Sequence, residues 1–138
     1  MVSVRPAEQI PVEVSVKTEI NNEPYELMTT GHFYQKGQSS YLIYEENMPE
    51  GKIQTTVKLK EKEVLILRKG AVEMRLHFLL NKKTPGTYKT PLGVLMTEAD
   101  TQRIEVADGR VELRYSLEIQ GSDAGTYHMN INYRPYHN

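Results

Sequence analysis

The sequence predicts an all-β protein, a single closed antiparallel β-barrel of eight to ten strands that spans residues 1–138. Apolar residues recur at every second position along most of the chain, which is the period of a strand with one buried face. Turn-forming residues interrupt this pattern at intervals of roughly ten residues. No segment shows a sustained helical period. Because long strands in a small domain leave exposed edges, closure into a barrel is favoured over an open sheet.

The first half of the chain contains five predicted strands. They cover residues 10–18, 25–35, 40–46, 53–60 and 64–68. Segments rich in Asn, Gly, Pro and Ser separate them, since these residues favour turns. Gly31 lies inside the second strand and predicts a bulge or a sharp bend there, which would help the sheet to curl.

The second half continues the alternation. Its predicted strands cover residues 72–79, 94–97, 101–107, 111–119 and 127–133. Pro85 and Gly86 predict a loop between the first two of these strands. Asp108 and Gly109 predict a two-residue hairpin turn of type I′, because both residue types tolerate the positive φ values that this turn requires.

Composition limits the classes of function. The chain is 38% hydrophobic and 25% charged, which is typical of a globular protein. Its 17 basic and 18 acidic residues give a net charge of −1, so we expect neither nucleic acid nor an anionic membrane as a partner. The absence of cysteine excludes disulfides and thiolate sites. We see no signal-peptide pattern and no apolar run of membrane-spanning length, and we expect a cytoplasmic protein.

No motif in the sequence indicates a metal, a cofactor or a catalytic set. The four histidines, His32, His77, His128 and His137, do not have the spacing of a metal site. There is no G-x-S-x-G elbow for a serine nucleophile, and no glycine-rich loop precedes a helix to hold phosphate. We therefore expect no metal and no cofactor.

A cluster of basic residues provides the first candidate ligand contacts. Arg68 lies close in sequence to Arg75 and His77, which share one face of the strand 72–79. If that face lines a cavity, the arginines could bind a carboxylate or phosphate through a bidentate fork. Alternatively, the face is exposed to solvent and Arg75 pairs with Glu73, an interaction worth less than about 1 kcal/mol.

Two adjacent glutamates, Glu45 and Glu46, end the strand 40–46. Adjacent strand residues point to opposite faces, so at most one of them faces inward and they cannot act as a converging acid/base pair. Glu45 could pair with an interior arginine such as Arg68, or both glutamates could be exposed at the strand end.

Tyrosines and a threonine complete the candidate set. The chain has nine tyrosines, two phenylalanines and no tryptophan. Buried tyrosines need a partner for the hydroxyl, so Tyr44, Tyr88 and Tyr115 could line a pocket or could belong to the core. The candidate ligand-binding residues are Tyr44, Glu45, Arg68, Arg75, His77, Tyr88, Thr90 and Tyr115.

Six segments resemble the YwiB-like family of bacterial proteins. They are Gly31-His32-Phe33-Tyr34-Gln35-Lys36-Gly37, Tyr41-Leu42-Ile43-Tyr44-Glu45-Glu46, Arg68-Lys69-Gly70, Met74-Arg75-Leu76-His77-Phe78, Tyr88-Lys89-Thr90-Pro91-Leu92-Gly93 and Leu113-Arg114-Tyr115-Ser116-Leu117. The resemblance covers residues 12–133 and implies a calycin-like or lipocalin-like closed barrel, but no particular activity. The chain has no tryptophan and therefore lacks the Gly-x-Trp signature of true lipocalins, so a lipocalin-type ligand is not implied.

Three functions follow as hypotheses. The first is a non-catalytic barrel that binds a small ligand, either partly apolar or anionic, in its interior. The second is a structural or interaction protein with a packed barrel, either a monomer or a homodimer. The third, which no motif supports, is a hydrolase that uses His77 with Glu45 or Glu46. The volume left inside the barrel distinguishes the first hypothesis from the second.

Overall fold

The computed structural model describes residues 8–136, which form ten β-strands and contain no helix. The strands are β1 (Ile10–Ile20), β2 (Glu23–Lys36), β3 (Ser39–Met48), β4 (Gly51–Lys60), β5 (Glu63–Gly70), β6 (Glu73–Leu79), β7 (Lys83–Thr90), β8 (Gly93–Ala107), β9 (Arg110–Ile119) and β10 (Ser122–Pro135). In this range no helix is long and apolar enough to cross a membrane. His137 and the start of the segment searched for a signal peptide lie outside the described residues.

The strands form a closed antiparallel barrel with the simplest connectivity. Each strand pairs with its neighbour in sequence, and β1 pairs with β10 from Val12 opposite Pro135 to Ile20 opposite Tyr127. This last ladder removes both sheet edges. The prediction of an all-β closed barrel is confirmed, with the strand number at the upper end of the predicted range.

The barrel has two distinct ends. The turns at residues 21–22, 49–50, 71–72, 91–92 and 120–121 lie at one end, which we call the open end. The connections at 37–38, 61–62, 80–82 and 108–109 lie at the other, the closed end. Inward-facing side chains form one core, which includes Val12, Val14, Leu42, Val57, Val64, Phe78, Val111, Leu113 and Ile131. Most of these residues lie in the half of the barrel nearer the closed end.

Strand β2 separates from β3 at Gly31. From Gly31, opposite Tyr44, β2 pairs with β3 towards the closed end, whereas residues 23–30 pair only with β1. A Cβ atom at Gly31 would collide with the Ile43 carbonyl oxygen, so the two backbones approach closely here. The β1–β2 ladder passes Gly31 without a register shift and the β2–β3 ladder ends there, so of the predicted bulge or sharp bend the bulge is wrong. The register shifts lie in β8 and β10 instead.

Strands β6 and β7 also separate. Only three registered pairs join them, from Glu73 opposite Lys89 to Arg75 opposite Thr87. The loop predicted at Pro85 and Gly86 is wrong, because both residues belong to β7. Proline is tolerated because β6 forms no registered pair with this part of β7, so no ladder bond to β6 requires the missing N–H.

The type I′ geometry lies at a different hairpin from the one for which it was predicted. At the turn between β8 and β9, only Gly109 has a positive φ, of 78°, so the predicted type I′ turn is wrong there. The Gly109 carbonyl accepts a hydrogen bond from the backbone N–H of Tyr133. Both central residues of the β1–β2 turn have positive φ, 51° at Asn21 and 69° at Asn22, as a type I′ turn requires.

Candidate functional site: a cavity at the open end of the barrel

A cavity of about 580 Å³ occupies the half of the barrel nearer the open end. This volume falls within the range of small-molecule sites in proteins. Apolar side chains form most of its wall, including Val16, Leu27, Ile66, Met74, Leu117 and Met129. The cavity is therefore suited to a molecule with substantial apolar surface.

Aromatic side chains form the boundary between the cavity and the packed half. Tyr115 is 2% exposed, and its ring lies 4.5 Å from that of Phe78 and 4.9 Å from that of Tyr127, measured between centroids. Phe78 is fully buried on the side of the closed end. These rings form the floor of the cavity. Because they are large and packed against one another, they hold their positions and do not fill the space above them.

The mouth includes the region where β2 leaves β3. Tyr25 and Leu27 on β2 and Met48 on β3 line the cavity on either side of this separation. The Thr29 hydroxyl donates a hydrogen bond of 3.1 Å to the Glu45 carbonyl and connects the two strands. The opening is thus built into the strand register.

An ion pair lies inside the cavity. Arg68 Nη2 donates to Glu46 Oε2 at 2.8 Å, and the two side chains are 25% and 18% exposed. Both residues continue inward-facing series, Arg68 after Ile66 on β5 and Glu46 after Tyr44 on β3. Neither predicted alternative holds, because the alternation of β3 exposes Glu45 on the outer face while Glu46 is half-buried and binds Arg68.

The strand register assembles a polar row next to this pair. Tyr44 lies opposite Thr55, and Thr55 lies opposite Arg68, so three adjacent strands each contribute one polar side chain at the same level. All three line the cavity. Because cross-strand neighbours lie about 4.5–5.5 Å apart at Cβ, the row presents a single polar surface.

Burial keeps the two tyrosines at this site protonated. It is the main cause that raises the pKa of Tyr44, and the nearby Glu46 carboxylate raises it further, while Arg68 and Thr55 act in the opposite direction. Burial likewise raises the pKa of Tyr115, with Tyr127 adding to the effect. Both hydroxyls are therefore neutral at physiological pH and able to donate as well as accept hydrogen bonds.

The Thr55 hydroxyl is buried beside that of Tyr44, whose pKa it lowers. Thr55 is 1% exposed, and its Oγ1 forms no hydrogen bond of ordinary distance and angle with the described residues. A buried hydroxyl without a partner is destabilising. The Oγ1 atom is itself buried within the cavity wall, so solvent does not relieve this cost.

Three of the sequence-predicted candidates, Tyr44, Arg68 and Tyr115, line this cavity. Arg75 and His77 lie on the outer wall, because Leu76 and Phe78 occupy the inward positions of β6. His77 Nε2 lies 2.6 Å from Glu63 Oε2, and this hydrogen bond lowers the pKa of Glu63. The face of β6 that Arg75 and His77 share is therefore the outer wall of the barrel and does not line the cavity.

The arrangement also bears on the suggested hydrolase pairing. The carboxylate partner of His77 is Glu63, on the outer wall, rather than Glu45 or Glu46. Glu46 points to the opposite side of the sheet and binds Arg68. Within residues 8–136, no three His, Asp or Glu side chains are grouped to hold a metal ion.

Tyr88 and Thr90, the remaining candidates on β7, lie outside the cavity lining. Tyr88 pairs with Met74 on β6 and Leu95 on β8 and does not contribute to the cavity lining. The Thr90 hydroxyl accepts a hydrogen bond from the N–H of Leu92 at 3.2 Å and donates to the Gly93 carbonyl at 2.9 Å. Thr90 therefore stabilises the β7–β8 turn.

Comparison with known proteins is consistent with this architecture. The family described as "Domain of unknown function (DUF1934)" matches residues 10–131. The chain belongs to this family. The resemblance to the YwiB-like proteins is confirmed by this match together with one related sequence and one solved structure.

One related protein is the "Uncharacterized beta-barrel protein YwiB" of Bacillus subtilis (strain 168). It is 33% identical over 134 residues, which cover 91% of this chain and 94% of the relative. The crystal structure of the ywiB protein from Bacillus subtilis matches the fold with a TM-score of 0.80 at 30% identity. That match covers 95% of this chain and 96% of the other.

Glu46, Thr55 and Tyr127 line the cavity but were not among the candidates predicted from the sequence. The signal for Thr55 was present, since it interrupts the inward series Ile53, Val57 and Leu59. The signal for Glu46 was obscured, because four consecutive apolar or aromatic residues precede the two glutamates and give no clear face.

Proposed function

We propose that this protein is a non-catalytic binding protein that takes a small, partly apolar molecule into the cavity at the open end of its barrel. The observation that supports this function is the cavity itself, of about 580 Å³, in a barrel whose other half is filled with side chains. Its apolar wall would bury the body of a ligand, and the row Tyr44, Thr55 and Arg68 would orient its polar end.

The alternative, an interaction protein with a solid interior, is less well supported. It predicts side chains that fill the barrel from end to end. The barrel instead contains a cavity of about 580 Å³, and hydroxyl and charged groups form part of its lining. We also propose that the protein is cytoplasmic and does not bind nucleic acid, on the grounds of composition and charge. We expect it to be a monomer or a homodimer.

Native mass spectrometry of freshly purified protein tests the proposal directly. We expect an additional mass that remains under gentle ionisation and disappears on denaturation, and the same spectrum reports monomer or dimer. Incubating the bare protein with a library of small amphipathic molecules should restore such a complex. Bare protein in both experiments would contradict the proposed function.

A blocked cavity provides the matched control. Met129→Trp places a large ring at the cavity wall, whereas Asn130→Trp places the same ring on the opposite face of the same strand. We expect Met129→Trp to lose the bound mass and Asn130→Trp to retain it. Equal binding by the two variants would place the ligand elsewhere.

A further inference from the structure

We propose that the ligand of this cavity carries an uncharged polar head with both a hydrogen-bond donor and an acceptor, such as a carboxamide, on an apolar body. This inference rests on the proposed function and specifies its ligand class. It follows from how the charged and polar groups of the cavity are already paired.

The charges that line the cavity disfavour an anionic head. The Arg68 guanidinium is already neutralised by Glu46 at 2.8 Å. The other charged lining residue among those described is Glu26, which is exposed at the mouth. Because Glu26 alternates with the inward-facing Tyr25 and Leu27, its side chain points outward. A carboxylate that enters the cavity would therefore have to compete with Glu46 for the Arg68 guanidinium.

A cationic head is disfavoured by the same pair. An ammonium group near Glu46 would also approach the Arg68 guanidinium, which is fixed to that carboxylate. Removing a charged head from water requires a partner of opposite charge, and the pair leaves neither sign uncompensated. A neutral head avoids this cost.

The hydrogen-bonding groups around the pair match a head of mixed character. Glu46 uses Oε2 to bind Arg68, so Oε1 can accept a hydrogen bond from a donor on the ligand. The Tyr44 hydroxyl, in the same cross-strand row as Arg68, can donate to an acceptor on the ligand.

The remaining wall accommodates the apolar body. Met48, Met74 and Met129 line the cavity together with branched aliphatic residues. Methionine adapts its shape to irregular apolar surfaces, so this wall selects for apolar character more than for one exact outline. Discrimination between ligands would therefore depend mainly on the head.

Isothermal titration calorimetry with four probes of identical tail separates the head from the body. The probes are decanamide, decanol, decanoate and decylammonium, each below its aggregation concentration at neutral pH. We expect decanamide to bind at least about tenfold more tightly than decanoate and decylammonium, with decanol between them. Equal or tighter binding of decanoate would overturn the inference and leave the proposed function intact. Absence of binding by all four would overturn both.

A substitution of one carboxylate sharpens the same experiment. Glu46→Gln retains the shape of the side chain but leaves Arg68 without its counter-charge, so we expect the ratio of decanoate to decanamide affinity to rise at least tenfold. Glu45→Gln, at the adjacent outward-facing position, is the matched control and should retain the original preference. Circular dichroism and the unfolding midpoint establish that both variants are folded. If folded Glu46→Gln still prefers decanamide as strongly as the original chain, the ion pair does not select the head and the inference fails.

Discussion

The two halves of the barrel interior are built by the same strands, yet one is packed and the other is open. On β5, Val64 and Ile66 are buried in the core, and the next inward residue is Arg68. On β3, Leu42 and Tyr44 are followed by Glu46. The change from apolar to charged side chains occurs at a similar depth on both strands. The difference shows that the cavity is specified by a few inward positions and not by a change of fold.

The largest contrast between the halves should appear on β6. Phe78 in the packed half is fully buried, whereas Met74, four residues earlier on the same inward face, is partly exposed to the cavity. We expect Phe78→Ala to lower the free energy of unfolding by about 3–5 kcal/mol, because it leaves a void in packed surroundings. Met74→Ala should lower the free energy of unfolding by clearly less, since the Met74 side chain already faces the open cavity. Urea denaturation of both variants measures the difference, and equal losses would show that the two halves are packed alike.

A smaller effect is expected from the ion pair of the open half. Arg68→Met removes the partner of Glu46 and leaves a partly buried carboxylate unpaired. We expect a loss of about 2 kcal/mol, between the value for an exposed pair and that for a fully buried one. The double variant Arg68→Met with Glu46→Gln should recover most of this loss in the same denaturation experiment. If the double variant is no more stable than the single one, the cost comes from lost packing of the arginine stem and not from the unpaired charge.

Two threonines test the cavity at the level of single hydroxyls. Thr55→Val removes a buried hydroxyl that forms no hydrogen bond of ordinary distance and angle with the described residues, so we expect the free energy of unfolding to rise by about 0.5–1 kcal/mol. Thr84→Val is the matched control, because the Thr84 hydroxyl donates to the His77 carbonyl across the separation of β6 and β7. That variant should be destabilised by about 1 kcal/mol. Stabilisation of both variants, or of neither, would contradict the assignment of Thr55 as an unsatisfied group.

These contrasts also show what could be read from the sequence. Where apolar and polar residues alternate strictly, as in β9 from Val111 to Leu117, both the strand and its buried face were predictable. Arg68 and Arg75, close in sequence, lie on opposite sides of the sheet because a turn separates β5 from β6 and each strand sets its own face. The row Tyr44, Thr55 and Arg68 depends on strand register, which residues far apart in the chain determine together.

The smallest effect is expected on the outer wall, where Glu112 serves as a reference for the interior ion pair. Arg103 Nε and His128 Nε2 each lie 2.7 Å from a Glu112 oxygen, and these hydrogen bonds lower the pKa of Glu112 from 4.5 to about 2. Because the folded state holds this pKa below its unfolded value, the contribution of Glu112 to stability is complete above pH 4.5 and is lost as the pH falls towards 2. We expect Glu112→Gln to flatten the pH dependence of the unfolding midpoint in this window. The shift of the midpoint itself should be smaller than for any of the interior substitutions above, since solvent screens a surface network. An unchanged pH slope in Glu112→Gln would show that this surface network does not stabilise the fold. Of the two ion-pair sites, only Arg68–Glu46 in the interior would then contribute to stability.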